Sequence, residues 1–369
     1  SKFEEMQRFA AALCLLACLA SPVSSFAPTS ILPSAALRSR GVAAVARSGQ
    51  VAHGVRRVAM EGGVGRSSID VLDAVTSGIA SMFRPTSAFV SGYRAQLDQS
   101  YKNTFDLPLR EFSESLPTNR PQKTLELYEF EACPFCRKVR EAITMLDIDV
   151  IVYPCPKDGV RYRGDVVSRG GKAQFPYLVD SNTGFEAYES DDIVRYLFQT
   201  YGDGIVPLEL AAGPLTTASV ALASALRRGK GGKAESNLPP PPPQPVTLWS
   251  FEGSPFCRVV RERMTELELP HKIITVARGS SKREALKEMA GIVQVPYLED
   301  PNTGIRWLET ADILSYLDRT YGPGAEPVGA ATAEPWIDDM PTVSVQAELV
   351  DPLDANTPLN EEDISPSDY

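Results

Sequence analysis

From residue 124 onward, hydrophobic and polar positions fall into short blocks whose period changes along the chain. "TLELYEF" (124–130) is apolar and rich in β-forming residues, and a turn follows it. Beyond the turn, Phe135, Val139, Ala142, Ile143 and Leu146 recur at helical spacing, which predicts a helix with one apolar face. A second strand is expected at "DVIVYPC", then a polar, Gly-containing helical stretch, then a strand opened by a proline at "FPYLVD". An Asn-Thr-Gly turn predicts a hairpin to the next strand, and a closing helix ends at Tyr-Gly. The order is βαβ–α–ββα.

The same order returns about 120 residues later. "VTLWSFE" (246–252) matches the first strand, and Phe256, Val260, Met264 and Leu267 repeat the helical stripe. "NTGFEAYESDDIVRYLFQTYG" (182–202) aligns without gaps to "NTGIRWLETADILSYLDRTYG" (302–322), and "GKAQFPYLVD" (171–180) aligns to "GIVQVPYLED" (291–300). A period of this length is too long for stacked solenoid units and marks a duplicated domain. The repeats are expected over 124–202 and 246–322. Between them, 203–245 holds an apolar helical stretch and then five consecutive prolines, Pro239 to Pro243. Such a run forms a semi-rigid spacer that separates domains; the other reading is a ligand for an aromatic-lined module.

The flanks differ in kind. From Met6 the chain reads "MQRFAAALCLLACLASPVSSFAPTS", a positive start, a short apolar run and small residues before a cut, as in a secretory signal peptide (1–25). Residues 26–60 carry five arginines and no acid among many Ala and Ser, the composition of a transit peptide. Signal, Phe-Ala-Pro junction and transit segment together resemble the bipartite leader of proteins sent to the secondary plastids of red-lineage algae. The plainer alternative is a secreted protein. Residues 61–123 predict one amphipathic helix at about 67–83, and 323–369 form an acidic tail expected to be largely disordered. No transmembrane span is expected in the mature chain.

Charge and residue counts narrow the chemistry. The net charge of −10 argues against nucleic acid as a partner, and falls to about −15 without residues 1–60, which hold seven Lys or Arg and two Asp or Glu. Two histidines, one of them in the leader, are too few for a Ser-His-Asp site or a His-rich metal cluster. Past the leader four cysteines remain: Cys133, Cys136, Cys155 and Cys257. Cys133-Pro134-Phe135-Cys136 opens the first repeat's helix. Unpaired backbone N–H groups and the helix dipole there stabilise a thiolate at Cys133, and Pro134 suits the first turn. Cys133 is the nucleophile candidate and Cys136 the resolving one. The alternative, half of a zinc site, lacks a second pair of ligands, and no metal is expected. In the second repeat Ser254-Pro255-Phe256-Cys257 replaces the leading sulfur by oxygen, and Cys257 reads as a buried small residue. Cys155 reads as a packed strand-end cysteine, with a third thiol near the site as the alternative.

Cys-Pro-Phe-Cys at the helix, Phe175-Pro176 before a strand and Glu189-Ser190 before the last helix together resemble glutaredoxins. They resemble still more the N-terminal domain of glutathione transferases, and the doubled arrangement looks like a plastid group of plants and algae. The resemblance implies an α/β fold of two tandem thioredoxin-like domains, each with a mixed four-stranded sheet, joined by the helical and Pro-rich linker. It implies glutathione as co-substrate. A cis proline would expose the backbone of Phe175, and of Val295 before Pro296, to the cysteinyl part. Glu189-Ser190 and Glu309-Thr310 would hold the γ-glutamyl end. Ser190 and Thr310 are also good helix N-caps whatever binds. "WSFEGSPFC" resembles the serine-type transferases, in which the serine hydroxyl, here Ser254, hydrogen-bonds the glutathione sulfur, although Trp249 stands farther from it than that pattern has it. Only the linker or the acidic tail follows each repeat where a transferase normally carries the helical domain that builds its second pocket, so conjugation of bulky electrophiles is not expected.

The function expected is a glutathione-dependent thiol–disulfide oxidoreductase acting on protein or small-molecule disulfides. The alternatives are a transferase using Ser254, a non-catalytic interaction protein of the plastid, and a glutathione-ligated iron–sulfur site at Cys133.

Overall fold

The computed structural model describes residues 71–328, apart from 83, 101–107, 212, 214–218, 220, 223 and 226. The expected leader, most of the acidic tail and part of the linker's helical stretch lie outside the described residues.

An N-terminal helix, α1 (Val71–Met82), precedes a 3-10 turn at Pro85–Ala88 and a separate antiparallel hairpin of β1 (Tyr93–Leu97) and β2 (Leu109–Ser113). The first repeat then runs β3 (Leu125–Glu129), α2 (Pro134–Met145), β4 (Val150–Pro154), α3 (Arg163–Gly170), β5 (Tyr177–Asp180), β6 (Phe185–Ala187) and α4 (Ser190–Tyr201). The second runs β7 (Val246–Ser250), α5 (Pro255–Glu266), β8 (His271–Thr275), α6 (Lys282–Ala290), β9 (Tyr297–Asp300), β10 (Ile305–Trp307) and α7 (Thr310–Tyr321). Each is the βαβ–α–ββα unit, with a parallel first pair and an antiparallel second half.

The two four-stranded sheets are one. Strands β4 and β8 pair antiparallel from Val150 opposite Ile273 to Val152 opposite His271, giving the order β10-β9-β7-β8-β4-β3-β5-β6. The proline run therefore joins the repeats without holding them apart, and Pro239 is buried with its carbonyl accepting from Arg161.

The predicted stripes account for the cores. Val139, Ala142, Ile143 and Leu146 pack with Leu125, Leu127, Val150 and Val152, and Val260, Met264 and Leu267 pack with Val246 and Leu248. Each large apolar side chain so buried stabilises the fold by about 1.5–3 kcal/mol. Phe135 departs from expectation: it is 49% exposed. Helical side chains lean toward the N-terminus, so in the first turn Phe135 reaches past the helix end instead of down onto the sheet.

The identity between the copies around Asn-Thr-Gly has a local cause. Asp180 accepts from Tyr196 and Tyr201 hydroxyls, both at 2.6 Å, and from the Asn182 amide at 2.8 Å. Asp300 repeats this with Tyr316 and Tyr321, both at 2.5 Å, and Asn302 at 2.8 Å. A buried carboxylate thus ties the hairpin to the closing helix, with its charge satisfied by hydroxyls in place of a cation.

Across the seam the helices α2 and α5 meet through buried charges arranged with approximate twofold symmetry. Arg140 bonds Glu252 (2.9 Å) and Glu131 (3.2 Å); Arg261 bonds Glu131 (3.1 Å) and Glu252 (2.8 Å). Outside the repeats, Arg84 clamps Glu141 (2.5 Å) and Arg227 clamps Glu262 (2.6 Å). Arg161 caps the carbonyls of Leu267 and Glu268, and Lys282 reaches Asp147 and Asp149 from the opposite side. The chain following each clamp arginine then crosses to the other repeat. Arg278 N–H donates to Ala88 and Val90 N–H to Arg278, while Lys157 N–H donates to Gly232 and Ala234 N–H to Lys157.

Candidate functional site

The first repeat's site is built at the junction of β3 and α2. Cys133 is the N-cap of α2, with extended backbone (φ −74°, ψ 122°), and Pro134 fills the first helical position. The Cys133 Sγ accepts from the Cys136 backbone N–H at 3.3 Å. The hydrogen bond from the Cys136 thiol is the main cause that holds the Cys133 thiol below its ordinary range, against the opposing effect of burial. Burial first, and that same hydrogen bond second, push Cys136 well above its range. The two sulfurs are thus unlike: one favours the anion and its neighbour keeps the proton. Both are buried, Cys133 at 4% exposure, and both are reduced.

The other expected residues arrive by a chain of contacts. Cys133 N–H donates to the Phe130 carbonyl at 3.0 Å, and the Phe130 ring meets Phe175 edge-on at 6.3 Å. The Phe175–Pro176 bond is cis. Gln174, just before it, donates from Nε2 to Glu189 Oε1 at 2.8 Å. Glu189, not Ser190, holds the N-cap position of α4, and its side chain does not cap the helix but turns to Gln174. Ser190 is the first helical residue and is buried. The N-cap role foreseen for Ser190 and Thr310 is therefore corrected by one residue in both copies. The α4 N-terminus is left with its amides uncapped by the glutamate side chain, which suits an incoming carboxylate.

The second repeat reproduces the frame with different chemistry. Ser254 is the N-cap of α5, and its Oγ accepts from Cys257 N–H at 3.3 Å. Val295–Pro296 is cis, and Gln294 donates to Glu309 Oε1 at 3.0 Å. The other oxygen, Oε2 of Glu309, is buried without a hydrogen-bond partner, and Thr310 is buried beside it in sequence. Cys257 is fully buried and its thiol is pushed up by that burial. Cys155 is likewise packed at a strand end among Tyr128, Val166 and Tyr177, its thiol pushed far up by burial. His271 is buried with Nδ1 on the Leu269 carbonyl at 2.8 Å, and burial lowers it to about 4.

Two sets of residues were not foreseen. Gln174 and Gln294 orient the two glutamates; their signal was an identical Gln before the X-Pro pair in both copies. Glu129, 2% exposed, is paired to Arg140 and pushed up to about 7, chiefly by burial. Its counterpart is Ser250, whose hydroxyl accepts from Arg261 at 3.2 Å. The copy that lost the leading thiol also has no carboxylate at this place. Among the described residues, no group of three or more His, Cys, Asp or Glu is placed to hold a metal ion, and no helix is long and apolar enough to cross a membrane.

Both repeats match known proteins in sequence. The family "Glutathione S-transferase, N-terminal domain" matches twice, over residues 127–204 and 248–327. A glutathione S-transferase-like protein of Aspergillus fumigatus is 32% identical over 100 residues, covering 26% of this chain. The match spans 44% of that relative's length, less than half of it. A glutathione transferase structure from Bombyx mori is 24% identical over 23% of this chain and 38% of its own, with a TM-score of 0.20. Residues 127–204 and 248–327 thus match that family twice in tandem, and each has the thioredoxin-like fold.

Proposed function

We propose that the first repeat is a glutathione-dependent thiol–disulfide oxidoreductase site with Cys133 as nucleophile. The observation that carries this is the helix-capping sulfur of Cys133 accepting from the Cys136 N–H, beside a neighbour that keeps its proton. The Cys133 thiolate attacks one sulfur of a disulfide; that S–S bond breaks and the leaving thiolate takes a proton from water. Cys136 then loses its proton and attacks the Cys133 sulfur, releasing the second thiol and leaving a Cys133–Cys136 disulfide. Two glutathiones restore the dithiol, the first by forming a mixed disulfide and the second by leaving as glutathione disulfide. In sum one disulfide and two glutathiones give two thiols and one glutathione disulfide.

In this reading the cis Phe175–Pro176 bond presents backbone to the cysteinyl part, and Glu189, set by Gln174, faces the glutathione ammonium. The second repeat keeps the matching frame, and the unpartnered Glu309 Oε2 favours glutathione binding there too, with Ser254 as hydrogen-bond donor to its sulfur. We place the protein in a plastid on its leader composition.

The test is glutathione-dependent reduction of a mixed disulfide by wild type, Cys133→Ser and Ser254→Ala. Loss of turnover in Cys133→Ser with retention in Ser254→Ala is expected. Folded wild type as inert as Cys133→Ser would end the proposal, and a conjugation rate lost in Ser254→Ala would favour the transferase alternative.

A further inference from the structure

The linker does more than connect. After Arg227, held at its guanidinium by Glu262 at 2.6 and 2.8 Å, the chain runs through Gly231 and Gly232 directly onto the loop that carries Cys133. Ala132 N–H donates to the Gly231 carbonyl at 3.3 Å, and Lys157 pairs with Gly232 and Ala234 at 2.8 Å on each side. The far end is pinned by Glu235 N–H on the Glu266 carbonyl at 2.8 Å. The approach is as close as a backbone permits. A Cβ on Gly231 would stand 2.7 Å from the Glu131 Cβ, and one on Gly232 would stand 3.1 Å from the Ala132 Cβ. Gly231 also adopts φ +70°, open to glycine at no steric cost. Residues 227–234 are therefore a strap fixed at both ends, lying against the two residues that precede the nucleophile.

The second repeat has the same device from a different source. Gly253 N–H donates to the Ser87 carbonyl at 3.0 Å, and a Cβ on Gly253 would stand 2.8 Å from the Ala88 backbone nitrogen. Two unrelated sequences, one before the repeats and one between them, thus close the same side of the same loop.

Phe175 stands edge-on to Phe130, whose carbonyl accepts from Cys133 N–H, with the Arg163 guanidinium 4.8 Å above the Phe175 ring. With the strap against Glu131 and Ala132 and these rings beside Phe130, the Cys133 residue is left 4% exposed. We infer that the strap sets the substrate class of this site: it admits a slender, extended disulfide, such as a glutathione mixed disulfide of a small thiol, and excludes a disulfide held in a folded protein surface. A loop of folded protein must bring backbone on both flanks of its sulfur, and the flank over Ala132 is already occupied. This inference rests on the thiol-exchange reading for its chemistry but on the strap alone for access.

The experiment therefore has two readouts. Cys133 modification by N-ethylmaleimide and by a long-chain polyethylene glycol maleimide, followed by peptide mass, measures access without turnover. It is run on wild type, on Gly231→Val, and on a chain with a protease site replacing 228–233, before and after cutting. In wild type the long reagent is expected to lag the small one by at least about tenfold more than on a free cysteine, and displacing the strap, by Gly231→Val or by cutting, closes that gap. The second readout is turnover of a small glutathione mixed disulfide against a glutathionylated folded protein. Opening the strap should raise the protein-substrate rate at least about tenfold and leave the small-substrate rate within about twofold. An unchanged maleimide ratio after cutting overturns the inference and leaves the strap as a brace between repeats. Absent turnover in every form overturns the exchange chemistry, while the maleimide ratio still decides access.

Discussion

Replacing Arg261 with methionine tests the buried charge network at the seam. Its guanidinium bonds Glu131 through two contacts at 3.1 Å, Glu252 at 2.8 Å and the Ser250 hydroxyl at 3.2 Å, all in surroundings closed to water. Removing one partner of a buried ion pair costs about 3–5 kcal/mol, because the remaining charge is left undercompensated. Here neither carboxylate is left alone. Glu131 keeps Arg140 at 3.2 Å and Arg258 at 3.8 Å, and Glu252 keeps Arg140 at 2.9 Å and Arg137 at 3.4 Å. The lower end, about 3 kcal/mol, is therefore expected. With a urea slope of about 3 kcal/mol/M the midpoint falls by about 1 M. Because the network and the β4–β8 pairing both span the repeats, fluorescence and far-UV dichroism should report one coincident transition, although described tryptophans Trp249 and Trp307 both belong to the second repeat. A midpoint shift under about 0.3 M, or two separate transitions, would refute the coupling argued from these contacts.

Three further outcomes follow from the geometry. Burial, only partly offset by Arg140, raises the Glu129 carboxyl from 4.5 to about 7, so its contribution is fully present below pH 4.5 and lost as pH rises through 7. Glu129→Gln should flatten the fall of the urea midpoint over that window, and an unaltered slope would contradict it. The rate of Cys133 alkylation should titrate below a free thiol, and Cys136→Ala should move that midpoint up by removing the main hydrogen bond; an unmoved midpoint counts against the asymmetry of the pair. Tyr321→Phe removes a 2.5 Å hydrogen bond to buried Asp300 and should cost about 1.5–3 kcal/mol in urea unfolding, with Tyr201→Phe within about 1 kcal/mol of it.

The sequence made the repeat and the elements that frame its site legible because both are local. Alternating strands, a helical stripe, an Asn-Thr-Gly turn and a cysteine at a helix start are each written in a few neighbouring residues. The eight-stranded sheet was not legible. Nothing in "DVIVYPC" or "HKIIT" tells a strand that its open edge meets a copy of itself, and the proline run pointed the other way. The charge network was present in plain letters, as Arg137, Arg140 and Glu141 recur as Arg258, Arg261 and Glu262. Charged residues at such spacing ordinarily face solvent, so the letters alone do not mark them as buried. Phe135 shows the converse, an apolar residue in register with a stripe but too near the helix end to share its burial. At the site, the cysteine pair and the two X-Pro bonds were read from the chain, whereas Gln174, Gln294 and Glu129 act through contacts that only the fold creates.

The β4–β8 seam changes how such a molecule can vary. In a symmetric assembly of two identical chains, every substitution near the axis is made twice and must suit both positions at once. Here the two sides of the axis are encoded separately in one chain. A sulfur can become an oxygen at Ser254, and a carboxylate a hydroxyl at Ser250, while Cys133 and Glu129 remain. The covalent join thus supplies an inner partner that can drift in chemistry and still support, through a shared sheet and shared charges, the half that keeps the cysteine pair.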